Sequence, residues 1–281
     1  VRPDRSIQTM GEGTTGLDGR YSIRATGGNT NGGPNIKVRV YSSIGGGIVC
    51  NVGPTASSSY FLESAYYPNV TARTLTVNVS SARPVRGSTT DSIIPRAFSV
   101  MDAMLQAAVE AYAYRGNRLM PRIPILFPAS GSFYRPSAMT ISLLRADALD
   151  WDVMMHEYFH FLANKGASAR FDTSPGGPHS GGSCIPRNGK DAGCRLAWSE
   201  GLATFFSILQ QIEPAQTLAP CPSIPNARDR RYQDTEDSTL NDDLETIGTG
   251  ALGGRSQGYA SENSIMAALY DLCDANQDVS S

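Results

Sequence analysis

Two of the chain's three histidines, His156 and His160, fall in one short stretch, HEYFH. On a helix, residues four positions apart lie on the same face, so both imidazoles can bind one metal ion. Glu157 follows the first histidine, and from there its carboxylate can act as a general base on a water beside the ion. The stretch therefore predicts a zinc site, although the same spacing also arises by chance on buried helices.

A zinc site of this kind needs a third protein ligand. Ala163 and Gly166 exclude the three-histidine continuation of the motif, which has Gly and His at these places. Glu200, in LAWSEGLATFF, is the favoured ligand because apolar neighbours would solvate an unpaired carboxylate poorly. Its alternative role is an acidic residue near a helix N-terminus. His179, in SPGGPHSGG, is either another ligand, a loop residue near the site or a solvated side chain.

HEYFH followed by WSEGLATFF resembles the gluzincin metallopeptidases, and the second phrase is similar to the surroundings of the glutamate ligand in their aminopeptidase members. The resemblance implies that His156, His160 and Glu200 bind one zinc ion and that Glu157 is the base in peptide hydrolysis. It also implies an oxyanion donor before a later helix, a place that Tyr259 occupies. The alternative for Tyr259 is a half-buried aromatic residue.

The chain departs from the family in several places. Thermolysin-like members have an Asp one turn after the Glu ligand that orients a histidine, and this chain has Thr204 there. Asp152 is a candidate substitute, or else an exposed acid at a helix N-terminus. Glu262 is expected to cap the last helix rather than to bind a substrate amine. The GxMEN motif of the exopeptidases is absent from the sequence, which favours an endopeptidase.

Three helices are expected to carry these residues: the histidine helix, the helix with Glu200 and the last helix of the chain. The histidine helix is expected to run from about Asp150 to Gly166, and LAWSEGLATFFSILQQI should carry Glu200. A long loop is expected between Gly166 and Cys194. Apolar periodicity predicts two more amphipathic helices. Their expected apolar faces consist of Phe98, Met101, Leu105, Val109 and Tyr112 in the first, and of Ile265, Ala268, Leu269 and Leu272 in the last.

The N-terminal part has the character of a small β-domain. Its Gly-, Ser- and Thr-rich sequence contains five candidate strands: Tyr21 to Ala25, Ile36 to Tyr41, Gly47 to Val52, Tyr60 to Ser64 and Thr74 to Val79. TTGLDGRYSI resembles an edge of transthyretin-like modules. A Pro-, Arg- and Ser-rich linker follows from Ser80 to Pro95. Beyond it, RIPILFP and MTISLLR are expected to be strands, and the gluzincin resemblance makes the second an edge strand that binds extended peptides.

Together these patterns predict an α+β fold with an N-terminal antiparallel β-sandwich, residues 1–85. A gluzincin-like catalytic domain, residues 86–281, is expected to follow, with a mixed sheet, helices and the active site between two subdomains. We expect a monomer that acts on protein or peptide substrates. The second hypothesis is a surface adhesion or binding protein whose zinc site is structural or vestigial.

Composition limits the other partners. A formal charge of −2 gives no electrostatic reason for nucleic acid to bind, and no apolar run is long enough for a membrane span. Five cysteines, with Cys184 and Cys194 flanking a short loop where a bridge closes easily, favour an exported protein. The acidic segment from Asp234 to Glu245 could bind calcium, but it lacks EF-hand spacing and is more typical of a solvated loop.

Overall fold

A computed structural model of the chain describes residues 8–16, 19–26, 33–45, 49–85, 88–166, 174–177, 179, 189–212, 231–233, 241–244 and 261–273. The strands of these residues are β1 (Arg39–Tyr41), β2 (Ser43–Ile44), β3 (Cys50–Gly53), β4 (Phe61–Glu63), β5 (Ile123–Ala129), β6 (Phe133–Arg135), β7 (Thr140–Leu144), β8 (Arg231–Gln233) and β9 (Asn241–Asp243). The helices are α1 (Ile93–Tyr114), α2 (Trp151–Lys165), α3 (Gly189–Ile212) and α4 (Glu262–Asp271). The α+β class is thereby confirmed.

The chain forms two compact units. The first combines Val1–Tyr41 with Phe61–Ala82, and the second combines Ser42–Tyr60 with Arg83–Ser281. This division differs from the predicted boundary after residue 85, because the segment 42–60 adds β2 and β3 to the sheet of the second unit. Cys50 and Val52 on one face of β3 and Asn51 on the other are almost fully buried there, so both faces of the strand are covered in the second unit.

Within the first unit, β1 and β4 pair antiparallel, and an isolated bridge joins Ile36 to Tyr67. Tyr21 donates a side-chain hydrogen bond to the Val77 carbonyl at 2.7 Å. The described parts of the predicted strands at 21–25 and 74–79 are not strands. The antiparallel pairing is therefore present, but the described residues do not form the five-stranded sandwich expected from the sequence.

The second unit contains a five-stranded mixed sheet with the order β2-β3-β5-β7-β6. β3, β5 and β7 are parallel, while β2 and β6 run antiparallel to their neighbours. β7, from MTISLLR, lies inside this sheet, so the expectation that it is the edge strand is wrong. Its first four residues are all buried, as in a strand covered on both faces. The strands at its two edges are β2 and β6, and β6 is the one next to β7.

Helices α1 and α2 pack against this sheet, and α3 packs against α2 and α4. The buried face of α1 consists mainly of small residues, among them Ala97, Ala103, Ala107 and Ala111. The bulky face predicted for α1 is wrong: its residues are half-buried, and Tyr112 is exposed. Alanine allows a helix to approach its neighbours closely, and longer side chains then lie at the margins of the contact.

The last two helices also differ from the sequence expectation. α3 begins at Gly189 and includes Cys194, so the predicted loop ends earlier than expected. In α4 the buried apolar residues are Met266 and Ala267, whereas Ala268 and Leu272 of the predicted face are exposed. None of the described helices is long and apolar enough to cross a membrane.

Candidate metal centre

Helix α2 presents the two histidines. It begins after Asp150, whose side chain accepts a hydrogen bond from Val153 N at 3.4 Å, and ends before Gly166, which agrees with the predicted bounds. His156 and His160 are one turn apart, and their ring centroids are 4.8 Å apart at an interplanar angle of 77°. Their Nε2 atoms are 3.1 Å apart, so both imidazoles point toward the same place.

Helix α3 brings Glu200 to that place. Its Oε2 atom lies 3.1 Å from His156 Nε2 and 2.9 Å from His160 Nε2. Glu200 is buried. The structure thus brings together the two histidines and the glutamate that the sequence singled out.

The three atoms have the spacing that a metal ion requires. Zinc bonds of 2.0–2.1 Å in a tetrahedron place neighbouring ligand atoms roughly 3.3 Å apart, close to the distances in this cluster. Among the described residues, His156, His160 and Glu200 are the group of His, Cys, Asp and Glu side chains whose ligand atoms approach one another closely enough to hold a metal ion. Two imidazoles and a carboxylate therefore form a site that can hold such an ion.

Thr204 fixes the orientation of one imidazole. Its Oγ1 lies 3.1 Å from His156 Nδ1, one helical turn after Glu200 on α3. A neutral imidazole carries one N–H, so donation from Nδ1 to Thr204 leaves Nε2 with a lone pair directed at His160 and Glu200. That tautomer is the one a metal ligand needs.

The electrostatics of Glu200 are set by burial and by the two histidines. Burial alone would raise its pKa, but the charge of His160 and hydrogen bonds from His156 and His160 hold that pKa well below its usual range. The carboxylate is therefore ionised. An anionic oxygen and imidazole lone pairs repel one another unless protons or a metal ion lie between them.

His179 borders this cluster without joining it. Its Nδ1 lies 2.5 Å from Glu262 Oε1, and its Nε2 lies 3.8 Å from Glu200 Oε2. Of the three roles considered from the sequence, this position fits a loop residue near the site. Burial would lower the pKa of His179, but its hydrogen bond and charge interaction with Glu262 raise that pKa to about 9.

Helix α4 approaches the site because of a glycine. A Cβ atom on Gly201 would lie 2.7 Å from the Glu262 carbonyl oxygen and 2.8 Å from Ile265 Cβ, closer than such contacts allow. Glycine next to Glu200 therefore lets α4 pack tightly on α3. The predicted capping role of Glu262 is wrong: Ser261 caps α4 by accepting from Ser264 N, and Glu262 is paired with His179.

Asp152 has a different role from both predictions. It is buried, and its carboxylate accepts hydrogen bonds from Gln211 Nε2 at 2.6 Å and from Gln233 N at 2.8 Å. These bonds join α2 to α3 and β8. β8 in turn places the ring of Tyr232 5.8 Å from the ring of His156.

Glu157 points to the sheet. Its Oε2 accepts a hydrogen bond from the backbone N–H of Tyr134 in β6 at 2.6 Å. The Tyr134 hydroxyl is 3.1 Å from Asn164 Oδ1, and the Tyr134 ring packs edge-on against Phe161 at 5.8 Å. α2 therefore contacts β6 through Glu157, Phe161 and Asn164, and contacts α3 through its histidines.

Sequence reasoning missed several of these partners. Thr204 has a signal in the sequence, because it lies four positions after Glu200 on the same helix face. The pairing of Glu262 with His179 joins residues far apart in the chain, and Tyr134 contributes a backbone atom. Neither leaves a trace in residue type or spacing.

Other predictions fall partly outside the described residues. Tyr259 lies outside them, as do Cys184 and most of the acidic segment proposed for calcium. Among the described residues, Cys50, Cys194 and Cys273 form no disulfide with one another. A bridge between Cys184 and Cys194, and the binding of calcium, stay predictions.

No family model matches the chain, and comparisons with curated proteins and with solved structures gave no match. What can be said of function therefore depends on the residues of the site.

Proposed function

We propose that the chain is an exported zinc-dependent endopeptidase of the gluzincin type. The proposal is supported by one observation above all: His156 Nε2, His160 Nε2 and Glu200 Oε2 meet within 3.1 Å of one another in a buried cluster. Two imidazoles and one carboxylate, with a fourth position left for water or substrate, are a common ligand set of catalytic zinc.

The proposed chemistry is the attack of water on a peptide carbonyl. Zinc bound by these ligands would supply a Lewis acid that polarises the carbonyl and acidifies a water. Glu157 accepts the proton of the attacking water and passes it to the leaving amine. Tyr259 stays the proposed hydrogen-bond donor to the oxyanion.

The edge strand β6 is the proposed docking strand for substrate. Tyr134 directs its backbone N–H out of the sheet, as its bond to Glu157 indicates, and an extended peptide can add to such an edge. This moves the proposed peptide-binding strand from MTISLLR to the neighbouring β6. A docked peptide would then lie beside the helix that carries both Glu157 and the histidines.

Two variants test the proposal together with metal analysis. Glu157→Gln keeps the metal ligands and should lower kcat on casein or gelatin by about 10²–10⁴-fold while zinc content stays the same. Glu200→Ala should lose both zinc and activity. Glu12→Gln, an exposed control, should change neither. Full hydrolysis by the first variant or full zinc content in the second would contradict the mechanism.

A further inference from the structure

The proposed base is held by a backbone group in the structure. Glu157 Oε2 accepts the N–H of Tyr134 at 2.6 Å, and Tyr134 is the central residue of the edge strand β6. In an antiparallel pair, successive residues direct their backbone N–H and C=O groups alternately toward and away from the partner strand. Since the Tyr134 N–H meets Glu157, Tyr134 is a residue whose backbone groups face away from β7.

This N–H is the atom that a peptide strand docking on β6 would need. A β-strand added to a sheet edge forms its hydrogen bonds with the outward N–H and C=O groups of that edge. One N–H makes one good hydrogen bond, so the Glu157 carboxylate and a substrate carbonyl compete for Tyr134. The Tyr134 N–H cannot form a full hydrogen bond with both acceptors at the same time.

We propose that the Tyr134 N–H holds Glu157 in the resting protein and is transferred to a backbone carbonyl of an extended peptide, so that substrate docking on β6 frees the base. The inference rests on the proposed peptidase function and adds to it a substrate requirement. Peptides long enough to pair with β6 release Glu157, whereas short ones leave it bound to Tyr134.

The surrounding contacts indicate which partner moves. The Tyr134 side chain is fixed to α2 at two further points, by the contact of its hydroxyl with Asn164 and by its ring against Phe161. The strand and the helix are thus joined independently of Glu157. Glu157 itself is half-buried and has a long flexible side chain, so its carboxylate can leave while β6 stays in place.

Release of Glu157 by a docked peptide should change kcat as well as KM. A hydrogen bond to a charged group contributes about 1.5–3 kcal/mol, which corresponds to about tenfold or more in a rate or an affinity. A docking contact that only bound substrate would change KM alone. Release of the base predicts instead that an eight-residue peptide has a kcat at least about tenfold above that of a short blocked substrate.

Tyr134→Pro and Tyr134→Ala form a matched pair that tests this. Both remove the aromatic ring, but only proline removes the N–H, and an outward-facing edge position tolerates proline. On the short substrate, kcat of Tyr134→Pro should exceed that of Tyr134→Ala by about tenfold, because Glu157 is no longer held. On the eight-residue peptide, KM of the proline variant should be higher by a similar factor. Equal kcat values on the short substrate, or a lower value for proline, would overturn the proposal.

A second measurement does not depend on catalysis or on the proline variant. In protein labelled with [15N]tyrosine, the Tyr134 amide is assigned by its loss in Tyr134→Phe. Glu157→Ala should move this amide proton upfield, whereas Glu12→Ala should not. Adding the eight-residue peptide to Glu157→Gln protein should shift it again. If no substrate is cleaved, the peptidase function fails, and the two amide shifts still decide whether Glu157 and a peptide share Tyr134: either shift missing overturns the inference.

Discussion

The second unit contains two buried polar clusters, one around Arg96 and one at the metal centre, and their hydrogen-bonding groups find partners in opposite ways. In the first, Arg96 donates to Asp91, to the carbonyls of Val85 and Ser88, and to the carbonyl of Arg145. Arg145 Nη2 also donates to Asp91 at 2.8 Å, so this carboxylate is paired with two guanidinium groups of the protein itself. In the metal centre, His156 Nε2, His160 Nε2 and Glu200 Oε2 face one another, and His156 Nδ1 lies 3.1 Å from Thr204 Oγ1.

The difference separates a structural cluster from a ligand site. In both clusters a carboxylate has a lowered pKa against the effect of burial: Asp91 through Arg96, and Glu200 through the two histidines. Guanidinium is a permanent cation, so the first cluster is complete at any physiological pH. Imidazoles are neutral or cationic, so the second cluster is complete only when protons or a metal ion enter it.

The largest effect on folding is expected from the structural cluster. Arg96→Ala leaves three carbonyls without their donor and Asp91 with Arg145 as its one remaining cation, and should lower the free energy of unfolding by about 3–5 kcal/mol, as for other broken buried pairs. Urea denaturation measures it, and zinc content should not change. Arg118→Ala, at an exposed position, serves as control and should stay within about 0.5 kcal/mol of wild type. A loss of zinc in Arg96→Ala would contradict the assignment of the Arg96 cluster to a purely structural role.

The metal centre should instead gain stability from its ligand. Zinc at about 1,000 times its Kd adds about 4 kcal/mol to a protein that binds it only when folded. For a chain of this size we expect Tm to rise by about 10 °C, and a chelator to reverse the rise. Glu200→Ala should show no rise, whereas Arg96→Ala should show the full one. An equal rise in Glu200→Ala would mean that zinc binds elsewhere.

A smaller effect is expected from the hydroxyl that orients His156. Thr204→Val keeps the size of the side chain but removes the acceptor for Nδ1, and should weaken zinc affinity by about 10–100-fold. Thr204→Ser retains the hydroxyl and should bind nearly as wild type does. Competition with a chromophoric chelator measures both affinities. Wild-type affinity in the valine variant would show that Thr204 does not orient the ligand.

The sequence predicted the metal centre better than the fold around it. The bounds of α2 follow from local chemistry, namely the Asp150 cap and Gly166, and the histidine spacing follows from helix geometry. Glu200 was singled out by the resemblance of WSEGLATFF to a gluzincin glutamate helix and by the apolar residues beside it in the sequence. These signals lie within short stretches of the sequence, so they can be read without knowledge of the tertiary structure.

What the sequence could not predict was decided by packing. Apolar periodicity selected the bulky faces of α1 and α4, but the buried faces contain small residues such as Ala97, Ala107 and Ala267, because close contact favours them. The place of β7 in the sheet was misassigned although its apolar run already favoured a strand buried on both faces. The assignment of segment 42–60 to the second unit depends on pairing between distant strands, which no local pattern encodes.

The smallest expected effect is a pH dependence at the edge of the metal centre. The folded-state pKa of His179, about 9, lies above its ordinary value of 6.5, so its pairing with Glu262 stabilises the fold fully below pH 6.5. That contribution is lost as the pH rises through about 9. A partly exposed pair contributes at most about 1 kcal/mol, or about 3 °C in Tm. Chelated wild type and His179→Gln should therefore differ in Tm at pH 6 and converge by pH 10.

Asp91→Asn, in the structural cluster, is the control, and its pH dependence is expected at the acid end of the range. The lowered pKa of Asp91 stabilises the fold above its ordinary value of 3.8 and ceases to do so as the pH falls through the lowered pKa. The Tm difference between wild type and Asp91→Asn should therefore be constant from pH 6 to 10 and shrink only in acid. Parallel pH profiles for the two variants would contradict these assignments, because the Arg96–Asp91 pair is lost only when the carboxylate is protonated in acid, whereas the His179–Glu262 pair is also lost when the imidazole is deprotonated in alkali.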